Sequence, residues 1–194
     1  AEHRSIEAVR VEAEAYQPAR FENELAETPS FVAPVPVFPL FLDLPLITGD
    51  EIAHAPHVAV TAKPWPGNIA VFNAGATGAF ELNRTISERA VIGVTQTDLR
   101  WSPSGIFDRG GELRVKLASG ELQSVVRTAL LNGANLMAIG DGSAGKWEVF
   151  QFEQAELIAP DTYAIRNRLR GQFGTDALLP DVWPAGSNVV LLDK

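Results

Sequence analysis

Cysteine is absent from these 194 residues. No disulfide and no thiolate metal site therefore contributes to the fold or its chemistry, which fits assembly in a cytoplasm. Positive charge is scarce: 16 Lys and Arg stand against 24 Asp and Glu, a net charge of −8. A surface of that sign does not neutralise phosphates, which excludes nucleic-acid binding along the whole chain. No apolar run reaches the roughly 18–20 residues that span a bilayer. The most apolar stretch, Phe31–Ile47, carries prolines at 34, 36, 39 and 45 and an aspartate at 43, so it is not a transmembrane helix. Nothing near Ala1 has the basic end and apolar stretch of a signal peptide, and the one methionine is Met137. The expectation is a piece of a longer protein.

What the chain does contain is core-forming material and turns. Hydrophobic residues make up 46%, with 16 Gly and 13 Pro among many Val, Thr and Phe. That mixture favours strands and turns over helices. Alternation and turn residues predict strands near His57–Ala62, Asn68–Asn73, Ala79–Ile86, Ala90–Thr95, Glu112–Leu117, Leu136–Ile139, Trp147–Phe152, Ala155–Ala159, Tyr163–Leu169 and Val189–Leu192. Leu122–Leu131 has helical spacing, with Ser119 as a cap and Gly133 as a stop. Turn signals roughly every 8–12 residues indicate an all-β sandwich or barrel.

The expected fold class is therefore mainly β: an antiparallel sandwich or barrel-like domain over residues 57–194, with one short helix. Ahead of it, residues 17–56 read as a polar linker followed by an extended Pro-rich arm. That arm is a strap across its own core in the ordinary case, or a strap between subunits in the sharper one. Ser5–Tyr16 alternates with a β-branched core (Ile6, Val9, Val11) and reads as a strand.

Candidate chemistry is thin. His54 and His57, with Asp50 and Glu51 nearby, have the ligand types for zinc, but a pair straddling Pro56 has no helix to align its rings. No metal and no cofactor is expected. The carboxylates Glu81, Asp98, Asp108, Glu148, Glu153 and Glu156 are numerous enough for a glycosidase pair, yet nothing in the sequence sets two of them across a cleft. Glu148 and Glu156 occupy outward, solvated positions in the strand pattern. No G-x-S-x-G occurs, and Gly140–Gly145 lacks the Gly-Lys-Ser/Thr end of a phosphate loop. Asn83-Arg84-Thr85 matches a glycosylation sequon of the kind that arises by chance. No catalytic residue is expected.

Two sets of residues remain as contact candidates. Trp65, Trp101 and Trp183 lie in turn-like settings where a ring can stack on a sugar or a partner, whereas Trp147 begins a strand and belongs to the core. Arg166, Arg168 and Arg170 alternate, which puts three cations on one face of a strand to meet water, carboxylates or an anionic ligand.

The wording of Lys146–Thr175 is the most specific feature. Trp147–Pro160 reads W-E-x-x-Q-F-x-x-A-x-L-x-A-P, and Leu169–Thr175 reads L-R-G-Q-F-G-T. With Leu130–Gly140, Gly186–Asp193 and the R-x-x-E-A-V-R-V-E-x-E-x-Y of Arg4–Tyr16, this resembles the C-terminal region of the large, megatron-like tail-tip (baseplate, host-specificity) proteins of siphophage-like tails and gene transfer agents. Phe173 departs from the polar or basic residue more usual there. The resemblance implies that residues 1–16 are the terminal strand of a preceding tail-hub domain. It implies a trimeric complex with copies of itself and other baseplate or tail-hub proteins. That complex would sit in a virion or virus-like particle, assembled in a bacterial cytoplasm and released, and would act in host attachment and envelope penetration. It supplies no catalytic residue. A carbohydrate-binding module for cell-surface glycans is the alternative, and a cell-wall glycoside hydrolase fragment a weaker one.

Overall fold

A computed structural model describes residues 3–10, 35–76 and 78–192. Residues 3–10 are exposed and carry no regular element, so the strand expected over Ser5–Tyr16 is not formed in its described part. A lone strand has no ladder to join, and alternation cannot supply one. Residues 11–16, the linker and the first four residues of the arm lie outside the described residues.

Val35–Lys194 forms one compact unit. Its strands are β1 (Val37–Leu42), β2 (His57–Ala62), β3 (Ile69–Ala74), β4 (Phe80–Ile86), β5 (Ile92–Thr95), β6 (Leu99–Arg100), β7 (Phe107–Asp108), β8 (Leu113–Leu117), β9 (Leu136–Gly140), β10 (Trp147–Ala159), β11 (Thr162–Leu169), β12 (Val182–Trp183) and β13 (Asn188–Leu191). Six of them close into an antiparallel barrel in the order β10-β9-β13-β5-β8-β11, with β11 returning to β10 and β7 attached beside β11. The fold is mainly β, as the sequence indicates, and barrel rather than sandwich.

Closure depends on the length of β10. Its first part, Trp147–Gln151, pairs with β9, and from Gln151 onward it pairs with β11. One strand thus serves two neighbours, and the two runs read separately in the sequence are continuous. Alternating side chains fill the interior: Leu113, Val115 and Leu117 from β8, Met137 and Ile139 from β9, Phe150 and Phe152 from β10, Ile165 from β11 and Val189 from β13. The opposite faces of the same strands are buried too. Leu136, Ala138, Val149 and Val190 pack with Ile92, Trp147 and the leucines of the Pro-rich segment. Strands covered on both faces read as continuous apolar runs, which is why all five residues of β9 are buried.

The covering layer is the ribbon of β1 and β2, paired antiparallel from Val37↔Ala62 to Leu42↔His57. Leu40, Leu42 and Leu44 are buried against the barrel wall, while Phe38 and Phe41 stay half exposed. Residues 35–47 are therefore a strap on the chain's own core along their leucine side. Pro39 sits in an edge strand, where its missing N–H costs no ladder bond.

The helix is shorter than expected. Only α1 (Arg127–Leu131) forms, following Val126, and Gly133 stops it at φ +102. Leu122–Val126 instead runs beside β10, with Val125 N–H donating to the Glu153 carbonyl (2.9 Å) and the Ser124 hydroxyl to that of Ala155 (3.1 Å). Ser119 bonds the Thr61 hydroxyl rather than capping a helix. Pairing with the exposed half of β10 outcompetes a marginal single-turn nucleus.

Candidate functional site

The three alternating arginines are where the structure departs most from a sequence reading. Each has its own carboxylate. Arg166, 40% exposed in its side chain, bridges Glu112 (2.6 Å) and Glu156 (2.9 Å). Arg168 donates from Nε to Asp108 (2.9 Å) and from its two terminal nitrogens to the Ile165 and Gly111 carbonyls. Arg170 grips Glu148 with two bonds, 2.5 Å from Nε and 2.7 Å from Nη2, and reaches the Arg100 carbonyl with Nη1 (2.8 Å). Arg168 and Arg170 are 1% and 0% exposed. No three-cation surface exists: one arginine is superficial and two are internal, because Asn167 at φ +54 interrupts the strand's alternation and the chain turns inward after Leu169. The turn inward is completed by Gly171, which sits at φ 61 and ψ 40 and whose N–H also faces Glu148 (3.3 Å).

Glu148, expected at an outward and solvated position, is fully buried. Burial of a carboxylate is tolerated because its oxygens accept from Arg170, from Trp183 Nε1 (2.7 Å) and from the Gly171 backbone. Trp183 is delivered by the short pairing of β12 with β6, Trp183↔Leu99 and Val182↔Arg100, which also presents the Arg100 carbonyl. Asp108 lies 3.7 Å from Arg170 Nη1 and so links the two buried pairs. Burial pushes the Asp108 carboxyl up, but the bonds from Arg168 and the Gly110 N–H, with the charges of Arg168 and Arg170, outweigh it and hold it below the ordinary value.

The closing phrase of the motif serves the same region. After Gly171, Gln172–Leu178 forms 3₁₀ turns interrupted by a kink at left-handed Phe173 (φ 57) and Gly174 (φ 78). Its Thr175 hydroxyl accepts from Val149 N–H (3.0 Å) and donates to the Gln172 carbonyl (2.8 Å). Gln151 on β10 donates to the Leu130 and Ala134 carbonyls (2.7 and 2.8 Å) and so ties α1 and the loop after it to the barrel. The Trp-Glu of one half of the motif and the Arg-Gly of the other are thus the two sides of a single buried ion pair.

The tryptophans separate. Trp147 is core, as expected. Trp183 is 5% exposed and its ring nitrogen is committed to Glu148, so it offers no free stacking face. Trp65 is half-buried and donates from Nε1 to the Gly67 and Ser87 carbonyls (3.1 and 3.2 Å). Trp101 is 56% exposed. An open cleft of about 620 Å³ is lined by Leu178, Pro180, Val182, Trp183 and Pro184, with Asp141 and Lys146 among its walls.

The candidate carboxylates do not face one another across that cleft. Asp108 and Glu148 are tied to Arg168 and Arg170, Glu153 to Arg127 (3.1 Å) and Glu156 to Arg166. The Asp98 carboxylate accepts from Ala185 N–H (2.9 Å), and Glu81 is exposed on β4. Glu153 is held below its ordinary value, first by the bond from Arg127, a direction opposite to that of a general acid. His54 is exposed and His57 opens β2; among the described residues no three His, Asp or Glu side chains converge as metal ligands.

Fold and site together define a six-stranded antiparallel barrel closed over a buried arginine–carboxylate network. Residues 90–190, just over half of the chain, match the family described as Rcc01698-like, C-terminal, and the chain belongs to that family. The match includes the whole Lys146–Thr175 motif. A search of curated proteins gave no match.

Proposed function

We propose that this chain is a structural component of a phage-like tail tip or baseplate, of the kind carried by gene transfer agents. In this reading it assembles with copies of itself, three around the tail axis, and with tail-hub proteins, and it serves attachment to the host cell and penetration of its envelope. One observation carries the reading. The motif by which the chain resembles such proteins is spent on internal structure, through Glu148, Arg170, Gly171 and Thr175. Side chains used in this way hold a scaffold in one shape and are not free to turn over a substrate. The family match over the same residues supports the assignment.

The test is biochemical. An affinity-tagged version of the chain, expressed in a particle-producing cell, is expected to co-purify with intact tails through a density gradient. Tag confined to the soluble fraction, with tails assembled normally without it, would refute the proposal.

A second reading, a module for cell-surface glycans, draws on Trp101, whose ring is exposed. It predicts glycan binding that Trp101→Ala abolishes. Silence of the chain on a bacterial glycan array counts against it.

A further inference from the structure

The hairpin of β3 and β4 is the part of the compact unit that the fold leaves unfinished. It is a separate two-stranded sheet, so among the described residues neither strand has a neighbour on its outer edge. Register places its side chains. Phe72 pairs with Leu82 and Ala74 with Phe80, whereas Asn73 pairs with Glu81 and Val71 with Arg84. A register shift between Val71 and Phe72, opposite Asn83, keeps Glu81 and Arg84 on one face.

The result is an amphipathic hairpin. One face carries Phe72, Phe80 and Leu82, exposed by 55%, 76% and 59%, with Ala70, Ala74 and Thr85 between them. Those three large side chains leave on the order of 350 Å² of apolar surface per copy, within the range of the largest patch on a typical monomer and often functional there. The base is fastened: Trp65 Nε1 bonds carbonyls on both sides of the hairpin, and Ala90 N–H donates to the Val60 carbonyl (2.9 Å).

An isolated two-stranded hairpin is marginal in water, and a long apolar edge invites pairing. Among the described residues two kinds of vacancy must be met at once here, a pair of free edges and one apolar face. A partner laid on the face leaves the edges open, and a strand added at an edge leaves the face open. Closure into a ring meets both, because a barrel has no edges and an interior of its own. The chain's own barrel shows how many strands suffice: six, closed around large apolar side chains. Three hairpins supply six strands.

We infer that three copies of this chain close a six-stranded barrel between subunits, β4 of each pairing with β3 of the next, with Phe72, Phe80 and Leu82 inside. The alternation of large with small residues on that face suits the interior of a small barrel. Charge allows the contact. From Ile69 to Phe80 there is no charged residue, so Glu81 and Arg84 of one copy meet no like charge on β3 of its neighbour. Elsewhere a chain of net charge −8 repels its own copies. The apolar area enclosed is about 1,000 Å² over three copies, or about 350 Å² at each of the three seams, to which the pairing of β4 with β3 adds.

The inference deepens the trimeric part of the proposed function and shares its copy number, but the experiment separates the two. Sedimentation velocity of the full 194-residue chain is expected to show a trimer that grows with concentration. Leu82→Asp and Phe80→Ser are expected to weaken trimer formation at least about 100-fold, by putting polar atoms into the shared interior. Both positions are exposed in the single chain, so the far-ultraviolet spectrum stays unchanged, as does the unfolding midpoint at concentrations where the unsubstituted chain is monomeric. Amides of residues 80–86 are expected to exchange at least about tenfold more slowly in the trimer. A chain that is monomeric at every concentration overturns the inference. A trimer indifferent to both substitutions also overturns it while leaving the assembly reading intact. So does a monomer that floats with phosphatidylglycerol vesicles through Leu82, which would make lipid the occupant.

Discussion

Glu148→Gln is the substitution that most sharply probes the buried network. Both partners, Glu148 and Arg170, have fully buried side chains. The amide keeps the shape of the carboxylate but removes its charge and turns one of its two oxygens into a donor. Arg170, which donates to both oxygens, then faces an N–H in either amide orientation, and Trp183 does so in one of them. Removing one partner of a buried ion pair costs about 3–5 kcal/mol, because the other charge stays in a low-dielectric site uncompensated. With a urea dependence of about 2 kcal/mol/M for a domain of this size, the unfolding midpoint should fall by about 1.5–2.5 M at an unchanged slope. Tryptophan fluorescence follows the transition, since Trp147 and Trp183 are buried. Two controls give the result its meaning. Arg166→Ala breaks two pairs on a side chain that is 40% exposed, where solvent screens the charges, so the midpoint should move far less. Glu148→Met with Arg170→Met replaces the pair by apolar volume and should cost less than either single change. If Glu148→Gln and Arg166→Ala shift the midpoint equally, the claim that the motif is a structural lock is wrong.

Three further outcomes follow from the same geometry. Gly171→Ala should destabilise by about 2 kcal/mol or more in the same titration, because its backbone is left-handed and a Cβ would lie 2.8 Å from that of Asp176. Leu42→Ala should cost about 2–5 kcal/mol if the Pro-rich segment is part of the core, and within about 0.5 kcal/mol of nothing if it is a detachable arm. Acid should also destabilise. Asp108, Glu112 and Glu153 are held below ordinary values of 3.8, 4.5 and 4.5, so the folded chain favours their charged forms. Their contribution is complete above about pH 5 and is lost as pH falls past those ordinary values and through the lower folded ones. A thermal midpoint flat from pH 7 down to pH 3 would contradict this.

Most strands, in the barrel and outside it, are legible because their signals are local. Alternation and Gly or Pro punctuation placed β2 to its residue, and β3, β4, β8, β9, β11 and β13 to within one or two positions. What was not legible depends on contacts far apart in the chain. The continuity of β10 across Glu153-Gln154 is set by its second neighbour, β11. The loss of the first half of the expected helix is set by β10, whose Glu153 and Ala155 take up Ser124 and Val125.

The site was misread for the same reason. A charged residue reads as outward and solvated, but Glu148 shares the interior face of Phe150 and Phe152, and the sequence pattern cannot say that Arg170 and Trp183 meet it there. The pairing of Trp-Glu with Arg-Gly inside one motif was the available signal. An acid in one phrase and an arginine in the other, 22 residues apart, are the halves of the pair. Likewise Trp65 and Trp183 stand in turn-like sequence, yet their ring nitrogens are used within the chain. Phe173, singled out as a departure from a polar residue, lies at φ +57, a backbone region where Asn and Gly are at less cost than an aromatic.

The measurement closest to the central claim is a cryo-EM map of an intact tail from a particle-producing cell. The account predicts density at the tail tip that fits the six-stranded barrel, in three copies, with the Glu148–Arg170 pair enclosed and the β3–β4 hairpins directed toward one another. A complete tail-tip map with no such barrel, or with this chain placed only elsewhere in the particle, would contradict it.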